Sequence, residues 1–385
     1  MSAEHLWYIP NQVRPGHRGD DTTEDHNSLD TLTSHAHALE RHGFAGALLG
    51  TSWGRPDTFT VATALAARTT TFEPLVAIRP GFWRPAHFAS AAATLDHLSG
   101  GRLRVNVVSG TDGQEAYGDG EADPAHRYAR TREFLQIVRR LWTQEEVTYA
   151  GEHFSVTRSS LGPRPVVRGD RAHPRIYFGG ASEAAERVAA TEADVQLFWG
   201  EPLDGIAERI DRLRRLSAEL GREHAPLEFG LRVTTFVRDT TEEAWVDAEA
   251  KVAQLAARSP EREAWSARDR GRSTAVGQQR LLDLAERGEV LDDNLWTAPG
   301  RFGGGGAGTT WLVGSAEDVA KSVRRYVGGG VTLFGLGGPP YERVRRLVGA
   351  EMWIRDRVTH FVLSDTPYLR EIERQGTRLL PLLRD

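Results

Sequence analysis

The sequence predicts a single α/β domain over residues 1–385, a closed (β/α)8 barrel (a TIM barrel) with insertions at the face where the strands end. Short apolar runs alternate with amphipathic helical segments through most of the 385 residues, which indicates a parallel sheet covered by helices. The number of such units favours a closed barrel over an open doubly wound sheet. The glycine fingerprint of dinucleotide-binding open sheets does not occur between a predicted strand and a predicted helix, because the glycines at 303–306 lie in a loop after polar sequence.

The elements follow one another in regular order. The first strand is the apolar run 6–9, and a polar loop rich in proline and glycine follows it. Further strands are predicted at 45–49, 75–78, 103–108, 175–178, 195–198 and 227–237. Helices are predicted at 32–42, 58–68, 86–98, 128–142 and 203–220, with another ending at 189. The runs 147–149 and 153–156 around Gly151 predict a hairpin, an insertion on the barrel face.

A repeat lies near the end of the chain. Residues 331–341 align without gaps on residues 358–368, at an offset of 27 residues. A barrel has one eighth strand, so only one copy can occupy that place. The second copy is followed by an amphipathic segment that includes Leu369 and Ile372. We therefore place the second copy in the barrel and interpret residues 332–358 as an inserted duplicate, which is either a natural duplication or a foreign insertion in the reading frame.

Composition excludes several classes of function. The 48 Lys+Arg against 53 Asp+Glu give a net charge of -5, which argues against a nucleic-acid partner. The absence of cysteine excludes thiolate chemistry and disulfides. We predict no metal site, because His35 and His37 lie on a helix at a spacing that points them apart. With neither a signal peptide nor a long apolar run, we expect a cytoplasmic protein without membrane partners.

An ordered set of motifs carries a family resemblance. The segments LVAIRP (75–80), NVVSG (106–110), YFGGAS (177–182) and FWGEP (198–202) resemble those of the bacterial luciferase-like flavin monooxygenases. Within these enzymes the chain is most similar to the alkanesulfonate monooxygenase group, and in particular to its sulfoquinovose branch. The resemblance implies a TIM barrel that takes reduced FMN (FMNH₂) from a separate NAD(P)H-dependent flavin reductase. It also implies that the enzyme uses O₂ to split an organosulfonate into an aldehyde and sulfite.

The resemblance assigns the cofactor residues. The position of the segment 179–182 also favours a phosphate site independently of the resemblance, because this segment opens a predicted helix whose free N–H groups attract anions. The resemblance implies that Asn106 and Ser109 line the flavin ring. The other implied cofactor-binding residues are Asp57, Tyr128, Gly180, Ala181 and Ser182.

The substrate residues come from the same resemblance. Arg232, inside an apolar strand, matches the substrate-side arginine, and a permanently charged guanidinium suits a sulfonate. The remaining implied residues are Trp199, Thr234, Arg301 and Thr366. Arg55, Thr234 and Thr366 replace the family's usual cysteine, histidine and tyrosine, which adds hydrogen-bonding groups to the site. A polar site of this kind favours a polyhydroxylated substrate such as sulfoquinovose.

Three other interpretations stay open. The chain could be a luciferase-like monooxygenase for a non-sulfonate substrate, or an F420-dependent oxidoreductase, which uses the same fold. It could also be a protein that binds FMN without turnover. We expect a homo-oligomer, a dimer or a tetramer, in each case.

Overall fold

The barrel strands and their helices alternate as the sequence predicts. The computed structural model describes residues 3–9, 28–51, 55–109, 118–120, 123–169, 171–257, 276–287, 290–302, 309–328 and 358–384. The strands are β1 Glu4–Ile9, β2 Gly46–Leu49, β3 Glu73–Ile78, β4 Arg104–Val108, β5 Val147–Ala150, β6 Ser155–Ser159, β7 Arg175–Gly179, β8 Val195–Trp199, β9 Glu228–Arg238, β10 Val290–Leu291, β11 Leu295–Trp296, β12 Trp311–Ser315 and β13 His360–Ser364.

The helices cover this sheet from outside. They are α1 Leu29–His42, α2 Thr58–Ala66, α3 Pro85–Leu98, α4 Pro124–Thr143, α5 Glu183–Glu192, α6 Leu203–Glu219, α7 Thr241–Ala257, α8 Val276–Arg287, α9 Ala316–Val327, α10 Tyr368–Arg378 and α11 Leu380–Arg384. Short 3-10 helices occupy Pro80–Phe82 and Ala298–Phe302. No helix in the described ranges is both long and apolar enough to cross a membrane.

Eight parallel strands close the barrel in the order β1, β2, β3, β4, β7, β8, β9 and β13. The ring closes because β13 pairs with β1 on one side and with β9 on the other, while β8 also pairs with β9. The predicted (β/α)8 barrel is therefore confirmed. The predicted hairpin is present as well, since β5 and β6 form a separate two-stranded antiparallel sheet.

Alternation along the strands divides the core into two layers. Side chains that point inward fill the barrel, and those that point outward pack against the helices. In β1, Trp7 belongs to the outer layer and its neighbours Leu6 and Tyr8 belong to the inner layer. The other inner-layer residues are Leu48, Leu75, Ala77, Tyr177, Val195, Leu197 and Val362.

A polar cluster closes the barrel at the amino ends of the strands. Arg104 forms ion pairs with Glu4 and Glu73, and its guanidinium donates to the Tyr177 hydroxyl at 2.6 Å. Burial raises the pKa of Tyr177, so this hydroxyl stays protonated. Side chains at this end of a barrel serve stability, because catalytic groups lie at the opposite end.

Strand β9 continues beyond the barrel. It has 11 residues; Glu228 to Arg232 pair with β8, whereas Thr234 to Arg238 pair with β12. Strand β12 is thereby attached to the barrel sheet, and β11 and β10 extend that sheet in turn. The sequence reasoning did not predict β12.

The eighth barrel strand lies in the second copy of the repeat. β13 begins at His360 and pairs with β1 and β9, in agreement with the sequence prediction. Residues 329–357, which hold nearly all of the segment 332–358, lie outside the described residues. The interpretation of that segment as an inserted duplicate stays a prediction.

Candidate active site

The β7–α5 turn, residues 179–182, lies where β7 ends and α5 begins. A Cβ atom on Gly180 would lie 2.6 Å from the Cβ of Ala185, so this position requires glycine. The Gly180 carbonyl accepts hydrogen bonds from Gln196 Nε2 at 3.0 Å and Arg209 Nη2 at 2.9 Å. Because the C=O and N–H of a trans peptide point in opposite directions, the Ala181 N–H is turned away from these two donors.

Two hydroxyl groups accompany the free amides of this turn. Ser182 is the N-cap of α5, and its Oγ accepts from the Ala185 N–H at 3.2 Å, which leaves the hydroxyl proton able to serve as a donor. The Tyr128 hydroxyl lies 3.7 Å from the position that a Gly180 Cβ would occupy. The structure therefore brings Tyr128, Gly180, Ala181 and Ser182 together, and this set of donors can hold a phosphate.

Asn106 and Ser109 lie on and directly after β4, and both side chains are buried. Among the described residues, Asn106 Oδ1 has no hydrogen-bond partner. The Ser109 hydroxyl lies 2.8 Å from Thr131 Oγ1, which itself donates to the Arg127 carbonyl. Since a threonine hydroxyl has one proton, Ser109 is the donor to Thr131 and retains its own capacity to accept.

These residues fit the FMN that the resemblance implies. A buried carbonyl oxygen without a partner costs free energy, and a flavin N–H could satisfy Asn106 Oδ1. The β7–α5 turn supplies the donors that the phosphate needs. Asp57 is a different case, because its exposed carboxylate caps α2 by accepting from Thr60 N and Oγ1, both at 2.8 Å. Its predicted cofactor contact stays a prediction.

Arg232 lies inside the barrel, between two aromatic rings. Its Cζ atom is 4.0 Å from the centre of the Tyr8 ring and 5.7 Å from that of Trp199. Trp199 ends β8 and pairs with Arg232 across the sheet. Two residues further along β9, on the same face of the strand, the Thr234 hydroxyl lies 3.1 Å from the Ser364 hydroxyl. The structure thus places a buried cation, an indole ring and two hydroxyls at neighbouring strand ends.

Thr366 lies two residues after the end of β13, and the hydrogen bonds recorded for it are made by its backbone. Its N–H donates to Asp365 Oδ1, and its carbonyl accepts from Lys251 Nζ, both at 2.7 Å. Lys251 also forms an ion pair with Asp365 at 3.1 Å. Nearby, burial and the Asp365 charge raise the pKa of Glu371 to about 8. Lys251 therefore fixes the segment that carries Thr366.

No hydrogen bond or ion pair links Arg301 to these groups in the described part of the chain. It belongs to the 3-10 helix Ala298–Phe302, which packs against α8: a Cβ on Gly300 would lie 3.4 Å from the Leu281 carbonyl oxygen. The Arg301 side chain is exposed. Its predicted contact with the substrate stays a prediction.

Among the buried charged residues, Glu201, Arg209 and Lys251 lie close to the site, and none of the three was predicted from the sequence to have a role there. For two of them, the position in the sequence could have indicated burial near the site. Glu201 follows a buried strand directly within Trp-Gly-Glu-Pro, and Lys251 falls at helical spacing with the buried residues Ala244, Ala248 and Leu255. Arg209 offered less, because α6 carries several other arginines.

Comparisons with known proteins agree with this architecture. The long-chain alkane monooxygenase LadA is 16% identical, with a TM-score of 0.73 and coverage of 100% of this chain and 91% of its own. DmoA from Hyphomicrobium sulfonivorans is 18% identical, with a TM-score of 0.72 and coverage of 100% and 88%. An F420-dependent secondary alcohol dehydrogenase is 16% identical, with a TM-score of 0.63 and coverage of 100% of both chains.

At these identities the structural likeness shows the fold and leaves the cofactor open. The sequence itself matches the luciferase-like monooxygenase family over residues 5–333, which is far more than half of the chain. The chain belongs to the luciferase-like monooxygenase family.

Proposed function

We propose that this protein is the oxygenase of a two-component system that uses reduced FMN and O₂ to cleave the C–S bond of an organosulfonate. A separate NAD(P)H-dependent flavin reductase supplies the reduced FMN. The observation that carries the substrate class is Arg232, a buried guanidinium between Tyr8 and Trp199 at the strand ends. Related structures include an EDTA monooxygenase and a long-chain alkane monooxygenase, so the substrate has to be argued from the site.

The cofactor half of the site consists of the β7–α5 turn and β4. The amides of the turn, with the hydroxyls of Ser182 and Tyr128, would hold the FMN phosphate. Asn106 Oδ1 and Ser109 Oγ would accept hydrogen bonds from the edge of the ring. When bound, reduced FMN supplies the electrons that activate O₂. The protein holds the ring in place and keeps water away from it.

The substrate half of the site centres on a permanent positive charge. A sulfonate stays anionic at any working pH, and a guanidinium stays cationic, so their attraction does not depend on pH. The aromatic faces on either side of Arg232 limit its movement and remove water from it, which strengthens its pairing with an anion. Thr234 and Ser364 add hydroxyls beside it, which favours a sugar sulfonate such as sulfoquinovose over a plain alkyl chain.

The proposed reaction balances. The sulfonate, O₂ and reduced FMN give the aldehyde, sulfite, oxidised FMN, water and one proton. One oxygen atom enters the carbonyl group and the other enters water, the carbon that bore sulfur is oxidised, and sulfur leaves with the C–S electron pair. Reduced FMN is the reductant for the second oxygen atom. The residues of the chain orient the carbon and bind the sulfonate as it becomes sulfite.

Sulfite release with a supplied flavin reductase tests the proposal. The panel contains sulfoquinovose, simple alkanesulfonates and sulfur-free substrates such as long-chain alkanes. We expect sulfite from sulfoquinovose. Sulfite from alkanesulfonates alone would refute the argument from the polar lining, and no sulfite from any sulfonate would indicate another monooxygenase substrate. Tight binding of F420 in place of FMN would contradict the cofactor assignment.

Two variants of Arg232 locate the sulfonate. Arg232→Met removes the charge, and the loss of charge-assisted hydrogen bonds worth about 1.5–3 kcal/mol predicts a rise in KM of roughly tenfold to a hundredfold. Arg232→Lys keeps the charge without the planar fork and should retain part of the affinity. FMN affinity should be the same in both variants. A normal KM in Arg232→Met would place the sulfonate elsewhere.

A further inference from the structure

One buried carboxylate joins two helices that come from separate parts of the chain. Glu201 lies two residues after β8, and its side chain is almost fully buried. Oε1 accepts from Arg209 Nη1 on α6 at 2.5 Å, and Oε2 accepts from Arg280 Nη2 on α8 at 2.6 Å. Each carboxylate oxygen thus holds one guanidinium, and the two arginines are linked through Glu201.

The first of these arginines reaches the cofactor half of the site. Arg209 Nη2 donates to the Gly180 carbonyl at 2.9 Å, and its Nε donates to Glu186 at 3.0 Å. The guanidinium also lies 4.6 Å from the centre of the Phe198 ring. These contacts fix the Arg209 guanidinium in place, and the hydrogen bond from Arg209 in turn orients the Gly180 carbonyl. The orientation of the β7–α5 turn therefore depends on the charges that hold Arg209.

The second arginine belongs to a helix that contacts the substrate half of the site. A Cβ on Gly277, in the first turn of α8, would lie 3.8 Å from Trp199 Cε3. Leu281 of the same helix packs against Gly300, next to Arg301. Arg280 lies one turn after Gly277, on the side of α8 that reaches Glu201. Helix α8 thus contacts the wall of the substrate half and, through two ion pairs, the turn that would hold the phosphate.

We propose that Arg280 and Glu201 are positioning residues that couple α8 to the β7–α5 turn, so that FMN phosphate affinity depends on the seating of α8. Removing Arg280 leaves one oxygen of a buried carboxylate without its partner, and Glu201 then draws Arg209 away from Gly180. The Gly180 carbonyl loses a donor, and the amides on the far side of the turn lose their alignment. The inference rests on the proposed function, because it assumes that the turn holds the FMN phosphate.

The test compares two arginines of the same helix. Arg280→Met breaks the pair with Glu201, and Arg287→Met is the matched control, because the half-exposed Arg287 pairs with the exposed Asp204. Dissociation constants for oxidised FMN and for riboflavin are measured by fluorescence quenching. In Arg280→Met we expect the FMN constant to rise about three- to tenfold and the riboflavin constant to stay unchanged. Arg280→Lys should recover part of the loss, and Arg287→Met should match the wild type.

The two ligands separate the outcomes. An equal loss of FMN and riboflavin affinity in Arg280→Met would mean a general structural role and would overturn the inference, as would unchanged FMN affinity. If the wild type itself binds riboflavin as tightly as FMN, the phosphate assignment fails, and the inference fails with it. Circular dichroism melting of each variant reveals whether it folds. Should Arg280→Met not fold, Arg280→Lys carries the comparison, with a smaller rise expected for FMN alone.

Discussion

Replacing Gly180 with alanine inserts one methyl group into the closest contact of the β7–α5 turn. The new Cβ would lie 2.6 Å from Ala185 Cβ, whereas carbon atoms pack at about 3.5–4.0 Å, so the turn has to move by roughly 1 Å. A shift of that size breaks or stretches the hydrogen bonds that the Gly180 carbonyl accepts from Gln196 and Arg209. Overpacking of this kind costs about 1–3 kcal/mol. For a chain of this length the melting temperature should fall by about 1–4 °C.

The neighbouring glycine is the control for this substitution. A Cβ on Gly179 would meet its nearest atom, Val108 Cγ1, at 3.9 Å, which is an ordinary contact. Gly179→Ala should therefore keep the wild-type melting temperature, measured by circular dichroism. Gly180→Ala should melt at a lower temperature than the wild type. Its affinity for FMN should also fall by a larger factor than its affinity for riboflavin. Equal melting temperatures for the two variants, with unchanged FMN affinity in Gly180→Ala, would refute the reasoning.

Three other predictions follow from the structure. Ser182→Ala should raise the FMN dissociation constant in titrations by roughly tenfold to a hundredfold, because a hydroxyl bond to a charged phosphate is lost; an unchanged constant would place the phosphate elsewhere. Burial, and then the charge of Arg384, lowers the pKa of His5 from 6.5 to about 4. The free energy of unfolding, measured by urea denaturation, should therefore decrease as the pH falls from about 6.5 to 4, by up to about 1.4 kcal/mol per pH unit. The His5→Phe variant should lack this slope. Deleting residues 332–358 joins Val331 to Thr359 and should leave soluble protein that binds FMN, because β13 lies in the second copy; insoluble protein would contradict this.

Sequence patterns predicted the barrel strands well, because a buried parallel strand is a short apolar run between loops. The run 6–9 became β1, and the run 227–237 became β9 with almost the same ends. The pattern did not reveal that one edge of β9 pairs first with β8 and then with β12. That property depends on β12, whose residues are far away in the chain and pair with β9 only after the fold has formed.

For the candidate site too, local features could be predicted from the sequence, whereas contacts between distant residues could not. Ser182 could be proposed from the sequence because it precedes a predicted helix, and the free N–H groups at a helix N-terminus can bind an anion. Glu201 and Arg280 are 79 positions apart, and neither has a local pattern that names the other. For Asp57 the local pattern indicates a different role from the one that the resemblance implied. An acidic residue directly before a helix is a capping signal, and in the structure Asp57 caps α2.

The double pairing of β9 bears on attempts to shorten this protein. A minimal barrel without the segment between β9 and β13 would leave Thr234 to Arg238 without the partner that β12 provides. Their exposed N–H and C=O groups would form a free sheet edge, and such edges recruit strands from other molecules. For this reason β12 and the barrel should unfold as one cooperative unit, and amide hydrogens in the second half of β9 should exchange as slowly as those in the barrel itself.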